Sequence, residues 1–491
     1  MLYDIIIIGG GVVGCAIARH LSRFNLKIAL LEKEADIAMG TTKANSGVVH
    51  AGYAAEREYI KRNLSIRGNK LYTQAWEELH FPFQRIGSFV IALEDQEIKD
   101  LEDLRKKGIQ DGVPGLELIL DKEKIRHMEP NLTNEIVGVL HAPTAGIVSP
   151  YELAFALAEN AAMNGVQFFR NHEVIKIKHT EYEFTVNTVG RNEFKTRNLI
   201  NAAGLYSSQI SRMLGLDYFD IMPRKGEYII FDRNAIHLNK ILFPTPTKVS
   251  KGILVCPTMH GNTFVGPNAQ NLNDPEDLST SEAGLKEILE GGRRLVPNLP
   301  ARSSIRNFAG LRAVPNTQDF IIDNTDVYGF INVGGILSPG LTSCFAIAEK
   351  VQEFLELLGV VLKVKENYNP HRPKPEIFKE FSKEELDQKI KEDPAWGRII
   401  CRCEYIPEKE ILNAIRSPVG ATTVDGVKFR CRPGMGRCQG GFCRPRVIEI
   451  LARELKLPYE QITKRGEDTT YLIGRTKDMI QNEIEKGEKE E

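Results

Sequence analysis

The first 33 residues constrain this chain more than any other stretch. An apolar run at residues 5–8 stops at Gly9, Gly10 and Gly11, and an apolar-periodic segment starts at Val12. That order of signals predicts a strand, a tight turn and a helix. Gly9, Gly11 and Gly14 form G-x-G-x-x-G. The first glycine permits the turn, the second lets backbone N–H groups approach a pyrophosphate, and the third lets helix and strand pack closely. The phosphates would then lie on a helix N-terminus. Val13, Ile17 and Leu21 share one helix face, and the helix is expected to end near Asn25 and lead into a strand over 27–31. Glu32 closes that strand. A carboxylate there accepts hydrogen bonds from a ribose 2′-OH and repels a 2′-phosphate, so FAD or NAD fits and NADP does not. With no second such loop further on, one flavin is favoured over a flavin and nicotinamide pair.

A length of 491 residues predicts two or three domains. Lys plus Arg (64) and Asp plus Glu (65) nearly cancel, which gives no basic field to recommend nucleic acid or an acidic membrane as a partner. No run is apolar and long enough for a transmembrane segment. The first strand follows Met1 so closely that no signal peptide is expected, and the expected location is cytoplasmic.

The cysteines are unevenly spread. Cys15, Cys256 and Cys344 are scattered, while Cys401, Cys403, Cys431, Cys438 and Cys443 crowd into 43 residues. In a cytosolic chain such a cluster points to metal rather than disulfides. Cys401-x-Cys403 and Cys438-x4-Cys443 supply two close thiolate pairs, suited to zinc or iron–sulfur. Structural zinc more often uses C-x2-C. Cys431 falls outside the pattern, with no role or that of a substitute ligand. Gly434, Gly436, Gly440 and Gly441 allow close backbone approach, and Pro445 is placed to begin a helix running to about Lys456. The charged, Pro-rich residues 363–397 predict a linker with one exposed helix at 383–391.

The nucleotide motif is followed by T-x-x-N-S-G-V-V-H-A-G over residues 42–52. Together they resemble the D-amino-acid oxidase superfamily of flavoproteins, in the branch holding FAD-dependent glycerol-3-phosphate dehydrogenases and L-2-hydroxyglutarate oxidases. Residues 198–204 (N-L-I-N-A-A-G), 308–315 (F-A-G-L-R-A-V-P) and 330–342 (F-I-N-V-G-G-I-L-S-P-G-L-T) are similar to later signatures of that family. The cysteine module resembles the [2Fe-2S] domain of bacterioferritin-associated ferredoxins. The implied fold class is α/β: a Rossmann-like FAD-binding domain interleaved with an α+β substrate domain, plus a small C-terminal iron–sulfur domain. The FAD-binding parts are expected at about 1–80, 145–220 and 320–362, the substrate domain at about 81–144 and 221–319, and the cluster domain at 398–491.

The resemblance also implies contacts. FAD would be held at Gly9, Gly11, Val13, Gly14, Glu32, Thr41, Thr42, Asn45, Ser46, Gly47, Val174, Ala203, Gly204, Gly335, Gly340, Leu341 and Thr342. The cluster would be held by Cys401, Cys403, Cys438 and Cys443. His50 would stand beside the substrate as a base or, alternatively, as a structural or flavin contact. Arg312 resembles the family's substrate-binding arginine, whose guanidinium matches phosphate or carboxylate bidentately. Lys251 resembles a second anion contact, with Lys248 as the fallback, and Ser46 and Ser338 are hydrogen-bond donors to flavin or substrate. His20, in the first helix, is expected at the surface. The implied activity is oxidation of sn-glycerol 3-phosphate, with electrons leaving through the [2Fe-2S] centre to a second redox subunit. Alternatives are an L-2-hydroxy acid oxidoreductase, an amine or imino acid dehydrogenase, or a non-enzymatic electron-transfer subunit.

Overall fold

Ile5, Ile6 and Ile7 have no solvent-exposed surface, because the strand that carries them, Leu2–Ile8, lies in the middle of a sheet. Parallel neighbours flank it on both sides: Ile28–Leu31 and Glu193–Asn201. Strands buried on both faces read as continuous apolar runs, as this one does. The computed structural model describes residues 2–246, 252–478 and 480. It divides into two units, Met1–Lys33 with Ile37–Lys374 and Glu34–Asp36 with Pro375–Glu491.

Among the described residues, the first unit holds two large sheets. The eight-stranded sheet takes its strands from 2–31, 167–201 and 321–334, in the order Val174–His179, Phe184–Thr188, Glu193–Asn201, Leu2–Ile8, Ile28–Leu31 and Gln167–Phe169. Phe330–Gly334 adds in parallel to the far edge of Glu193–Asn201. The helix after the glycines, Val12–Leu21, packs on the helices Pro150–Met163 and Gly340–Leu357. The nine-stranded sheet is built from 88–142 and 221–315. Its residues alternate between two cores, with Val90, Leu140, Leu254 and Cys256 on one face and Phe89, Ile91, Val139 and Val255 on the other. This period of two is the signature of a sheet covered on both sides. The interleaved α/β architecture is the one the sequence implied.

Several boundaries differ from expectation. The first helix stops at Leu21, four residues early, where the Ser22 hydroxyl turns back onto the Arg19 carbonyl. The Gly-rich end of residues 330–342 opens a helix at Gly340. A helix at Glu282–Leu295 lies between strands of the nine-stranded sheet, its first turn capped by the Ser281 side chain on the Gly284 N–H. Leu254–Pro257 and Thr263–Gly266 pair as an antiparallel hairpin. His20 is half-buried rather than superficial: it hydrogen-bonds Gln352 at 2.6 Å, and burial pushes its pKa down to about 4.

The expected linker is ordered along its length. Residues 363–374 form a strap on the first unit, with Asn25 donating to the Lys363 carbonyl, Lys365 to the Arg23 carbonyl, and Asn369 to the Asn164 side chain. The Arg372 guanidinium pairs with Glu159 at 2.6 Å. Apart from that ion pair, these anchors are main-chain and amide contacts, which a Pro-rich, charged composition does not reveal. The remainder belongs to the second unit. Phe381 meets Trp396 edge to face at 5.3 Å, and the Phe378 N–H donates to buried Glu410, whose carboxyl burial pushes up to about 7. The exposed helix forms at Lys383–Glu392, with Ser382 and Glu385 as a capping box. Among the described residues no helix is long and apolar enough to cross a membrane.

Candidate active site and cluster module

Two glycines of the dinucleotide loop, Gly9 and Gly14, leave no room for a side chain. A Cβ on Gly14 would lie 2.0 Å from the Gly9 carbonyl oxygen, and one on Gly9, whose φ is +107°, would lie 2.4 Å from the Ala202 oxygen. Ala202 follows Glu193–Asn201, so the loop, Ala203 and Gly204 meet at the carboxyl ends of neighbouring parallel strands. In an open α/β sheet that crevice is where a ligand binds. Gly11 precedes the helix, Val13 is half-buried in its first turn, and the Val12 N–H donates to the Thr42 hydroxyl at 2.9 Å. Glu32, 8 % exposed, accepts the Gly10 N–H at 2.6 Å, so its carboxylate lies against the loop it was expected to serve. Val174 begins a strand two residues beyond His172, whose N–H bonds the Glu32 carbonyl.

The next segment is a compact polar turn. The Asn45 side chain donates to the Thr41 and Thr42 carbonyls and accepts the Gly47 N–H at 2.8 Å, while the Thr41 hydroxyl donates to the Leu311 carbonyl. The Ser46 hydroxyl meets the Tyr228 hydroxyl at 3.3 Å, and Tyr228 stacks on Phe308. This turn therefore joins the nucleotide motif to the second sheet.

His50 and Ser338, 288 residues apart in sequence, come together with Nε2 and Oγ at 3.4 Å. The His50 N–H donates to the Thr342 hydroxyl, and its ring lies 6.0 Å from that of Phe243. The helix Ile60–Leu79 holds both partners: Asn69 donates to the His50 carbonyl at 2.9 Å, and the Tyr72 hydroxyl to the Leu341 carbonyl at 2.6 Å. Gly68 lets this helix approach, since a Cβ there would lie 2.1 Å from the Thr342 oxygen. Gly335, with φ +62°, packs on Pro315, and Gly340 opens the helix that carries Leu341 and Thr342. Arg312 stands on Ser304–Pro315 opposite Arg224 and donates to the Asn268 carbonyl at 2.9 Å. Its guanidinium crosses the neighbouring strand at Gly226, where a Cβ would meet Nη2 at 2.5 Å. Lys251 and Lys248 lie outside the described residues.

Asn69, Tyr72, Tyr228 and Phe243 were not read from the sequence. Each is an ordinary residue of a helix or strand, and its use depends on contacts distant in sequence. Glu276 was also missed: it bonds the Tyr206 hydroxyl and pairs with Lys33 at 3.4 Å, beside Glu32.

In the second unit, the sulfurs of Cys401 and Cys403 are 3.8 Å apart, as are those of Cys403 and Cys438, and Cys443 hydrogen-bonds Cys401. Two thiolates bound tetrahedrally to one metal at roughly 2.3 Å would be spaced about this far apart. Burial raises the Cys438 thiol, but hydrogen bonds from the Gly440 N–H, the Cys403 thiol and the Phe442 and Gly441 N–H groups together outweigh it, and the net direction is down. A Cβ on Gly436 would lie 2.5 Å from the Cys403 sulfur. Cys443 is the N-cap of the helix Arg444–Leu455, which begins one residue earlier than expected. Cys431 ends the helix Val424–Cys431, its thiol on the Val427 carbonyl. Four converging thiols, donated N–H groups and a glycine cradle fit a thiolate-held cluster.

Residues 4–353 match the family model of FAD dependent oxidoreductases. The chain belongs to that family. Residues 399–453 match the BFD-like [2Fe-2S] binding domain. A glycerol 3-phosphate dehydrogenase of Caloramator mitchellensis is 47 % identical over 482 residues, covering 98 % of this chain and all of that protein. An L-2-hydroxyglutarate dehydrogenase of Indibacter alkaliphilus is 32 % identical over 59 % of this chain and 73 % of its own. The solved L-alpha-glycerophosphate oxidase of Mycoplasma pneumoniae with FAD bound superposes with a TM-score of 0.73 at 32 % identity, over 77 % of this chain and all of that one. This oxidoreductase uses FAD, and its second unit is a [2Fe-2S] module.

Glu32→Lys is expected to weaken FAD binding by about 10- to 100-fold, since each charge-assisted hydrogen bond contributes roughly 1.5–3 kcal/mol. Titration of the apoprotein with FAD, followed by flavin fluorescence, checks it. An unchanged dissociation constant would remove Glu32 from the cofactor site.

Proposed function

We propose that this oxidoreductase converts sn-glycerol 3-phosphate to dihydroxyacetone phosphate and that electrons leave through the [2Fe-2S] centre to a second redox protein. The observation that carries this reading is the 47 % identity to a glycerol 3-phosphate dehydrogenase along essentially the whole chain, cysteine module included.

The chemistry asked of the protein is modest. Gly9, Gly11, Gly14 and Glu32 would hold FAD, which when bound would supply the acceptor for the hydride of the substrate carbinol. His50 Nε2 takes the hydroxyl proton, which requires that nitrogen to be unprotonated, and once protonated it can donate to the Ser338 hydroxyl oxygen. Their 3.4 Å separation is long for a hydrogen bond, and catalytic contacts often tighten only with substrate bound. Arg312 offers two parallel N–H groups to the phosphate, with Lys251 as the second cation. The four cysteine thiolates hold a centre that takes electrons singly, which a one-electron carrier requires.

An L-2-hydroxyglutarate reading is favoured by the relative of that name at 32 % identity. An anaerobic screen separates the two. Bleaching of the oxidised flavin band by glycerol 3-phosphate, and none by L-2-hydroxyglutarate or proline, supports the phosphate substrate, and the reverse pattern overturns it. Arg312→Lys keeps the charge but loses the planar fork, so KM for the phosphate substrate is expected to rise roughly 10-fold with kcat little changed. Steady-state kinetics at fixed ionic strength would show an unaltered KM if the phosphate lay elsewhere.

A further inference from the structure

The four cysteines of the cluster module are not equally sheltered. Cys401 and Cys443 are 1 % and 2 % exposed, whereas Cys403 and Cys438 are only partly covered. Electron tunnelling weakens steeply with distance, so a carrier must approach from the side of Cys403 and Cys438.

The residues flanking that side are unusual. Phe442, whose N–H is donated to Cys438, holds its ring 86 % exposed, and Tyr405, two residues from Cys403, is 60 % exposed. Arg402, Arg437 and Arg444, each next in sequence to one of the four cysteines, and Arg446 are all exposed. Of the cations between Asp425 and Glu449, Lys428, Arg430 and Arg432 are paired with Asp425, Asp36 and Glu404, while Arg437, Arg444 and Arg446 are exposed, Arg446 with the exposed Glu449 at 3.6 Å. The nearest carboxylate to the sulfurs in sequence, Glu404, is buried against Arg432 at 3.2 Å. An exposed aromatic centre with a charged rim is the composition of a protein interface, in which the rim steers encounter and selects the partner. The chain as a whole is nearly neutral, so the local positive charge is a property of this face.

We propose that this face is the docking surface for an acidic one-electron carrier protein. The carrier's aromatic or aliphatic contact would cover Phe442, and its carboxylates would meet Arg402, Arg437 and Arg446. One electron leaves the reduced cluster, restoring its oxidised state, and reduces one ferric or equivalent centre in the carrier. No bond forms and no proton moves. This deepens the electron route proposed above and is independent of the substrate.

The test uses the full chain with both cofactors and two probes, the acidic protein rubredoxin and the basic protein cytochrome c. Binding of redox-inert zinc rubredoxin is measured by titration calorimetry. Electron delivery to ferric rubredoxin is measured from photochemically reduced enzyme, so a wrong substrate assignment does not affect either reading. Binding to rubredoxin is expected to weaken about 10-fold or more between low salt and about 0.5 M NaCl, as screening of surface charge requires. Arg437→Glu with Arg446→Glu is expected to weaken it about 10-fold at low salt and improve cytochrome c, with the cluster spectrum and flavin reduction unchanged. Salt-independent binding of rubredoxin by the unmodified enzyme overturns the proposal. So does unchanged affinity in the double variant, or a variant in which electrons reach the cluster more slowly, since the face would then serve the chain's own flavin unit.

Discussion

Replacing Cys438 and Cys443 together by serine is expected to abolish the electron paramagnetic resonance signal of the reduced cluster while leaving substrate-driven flavin bleaching within about two-fold of normal. Thiolates bind the irons as soft, readily ionised ligands, and a serine hydroxyl offers neither property at neutral pH. The double change also removes one sulfur neighbour from each remaining cysteine: Cys403 loses Cys438 at 3.8 Å, and Cys401 loses its hydrogen-bond partner Cys443. Flavin reduction needs only residues of the first unit, so it should survive. Turnover with a one-electron protein acceptor should fall to background. Because metal binding contributes directly to the folding of small metal domains, the second unit should also melt earlier. If the double variant kept full turnover with its acceptor, the cluster would be structural and the electron route would have to be withdrawn.

His50→Gln should slow flavin reduction by something like 100-fold, the usual contribution of a positioned general base. Glutamine can still reach Ser338, and the His50 backbone bonds to Thr342 and Asn69 do not involve the side chain. FAD affinity should therefore be unchanged, which distinguishes lost proton transfer from a disturbed site. Stopped-flow bleaching measures the rate, and titration of the apoprotein with FAD measures the affinity. An unaltered rate in the variant would send the proton elsewhere.

What was legible in the sequence was what chemistry writes locally. The glycine loop is readable because each glycine serves a contact within a few residues or with the adjoining strand, and Glu32 because the strand–helix–strand spacing fixes its place. The cysteine pairs are readable because ligand type and spacing are themselves the requirement. The His50–Ser338 contact was not derivable from pattern, since 288 residues separate the partners; only resemblance named both. The supporting residues Asn69, Tyr72, Tyr228 and Phe243 carry no marker of their role. The strap at 363–374 was misread for a related reason. Composition reports how willing a segment is to be solvated, and this one is held by backbone carbonyls and amide side chains that composition does not encode.

The order of strands in the first sheet sets a timetable for synthesis. The central strand leaves the ribosome first, yet its partner on one side begins near residue 193, with Leu2 facing Lys195, and the strand beyond that spans Phe330–Gly334. At roughly 5–20 residues per second, the interval between the first strand and its partner is on the order of ten seconds or more. Throughout it, Ile5 to Ile8 have only the parallel strand Ile28–Leu31 to pair with, and one edge of a strongly apolar strand–helix–strand fragment stays open. A nascent chain of this kind depends on being shielded until its middle third has been made. Expression yield should accordingly respond to chaperone supply and elongation rate more than to the stability of the finished enzyme.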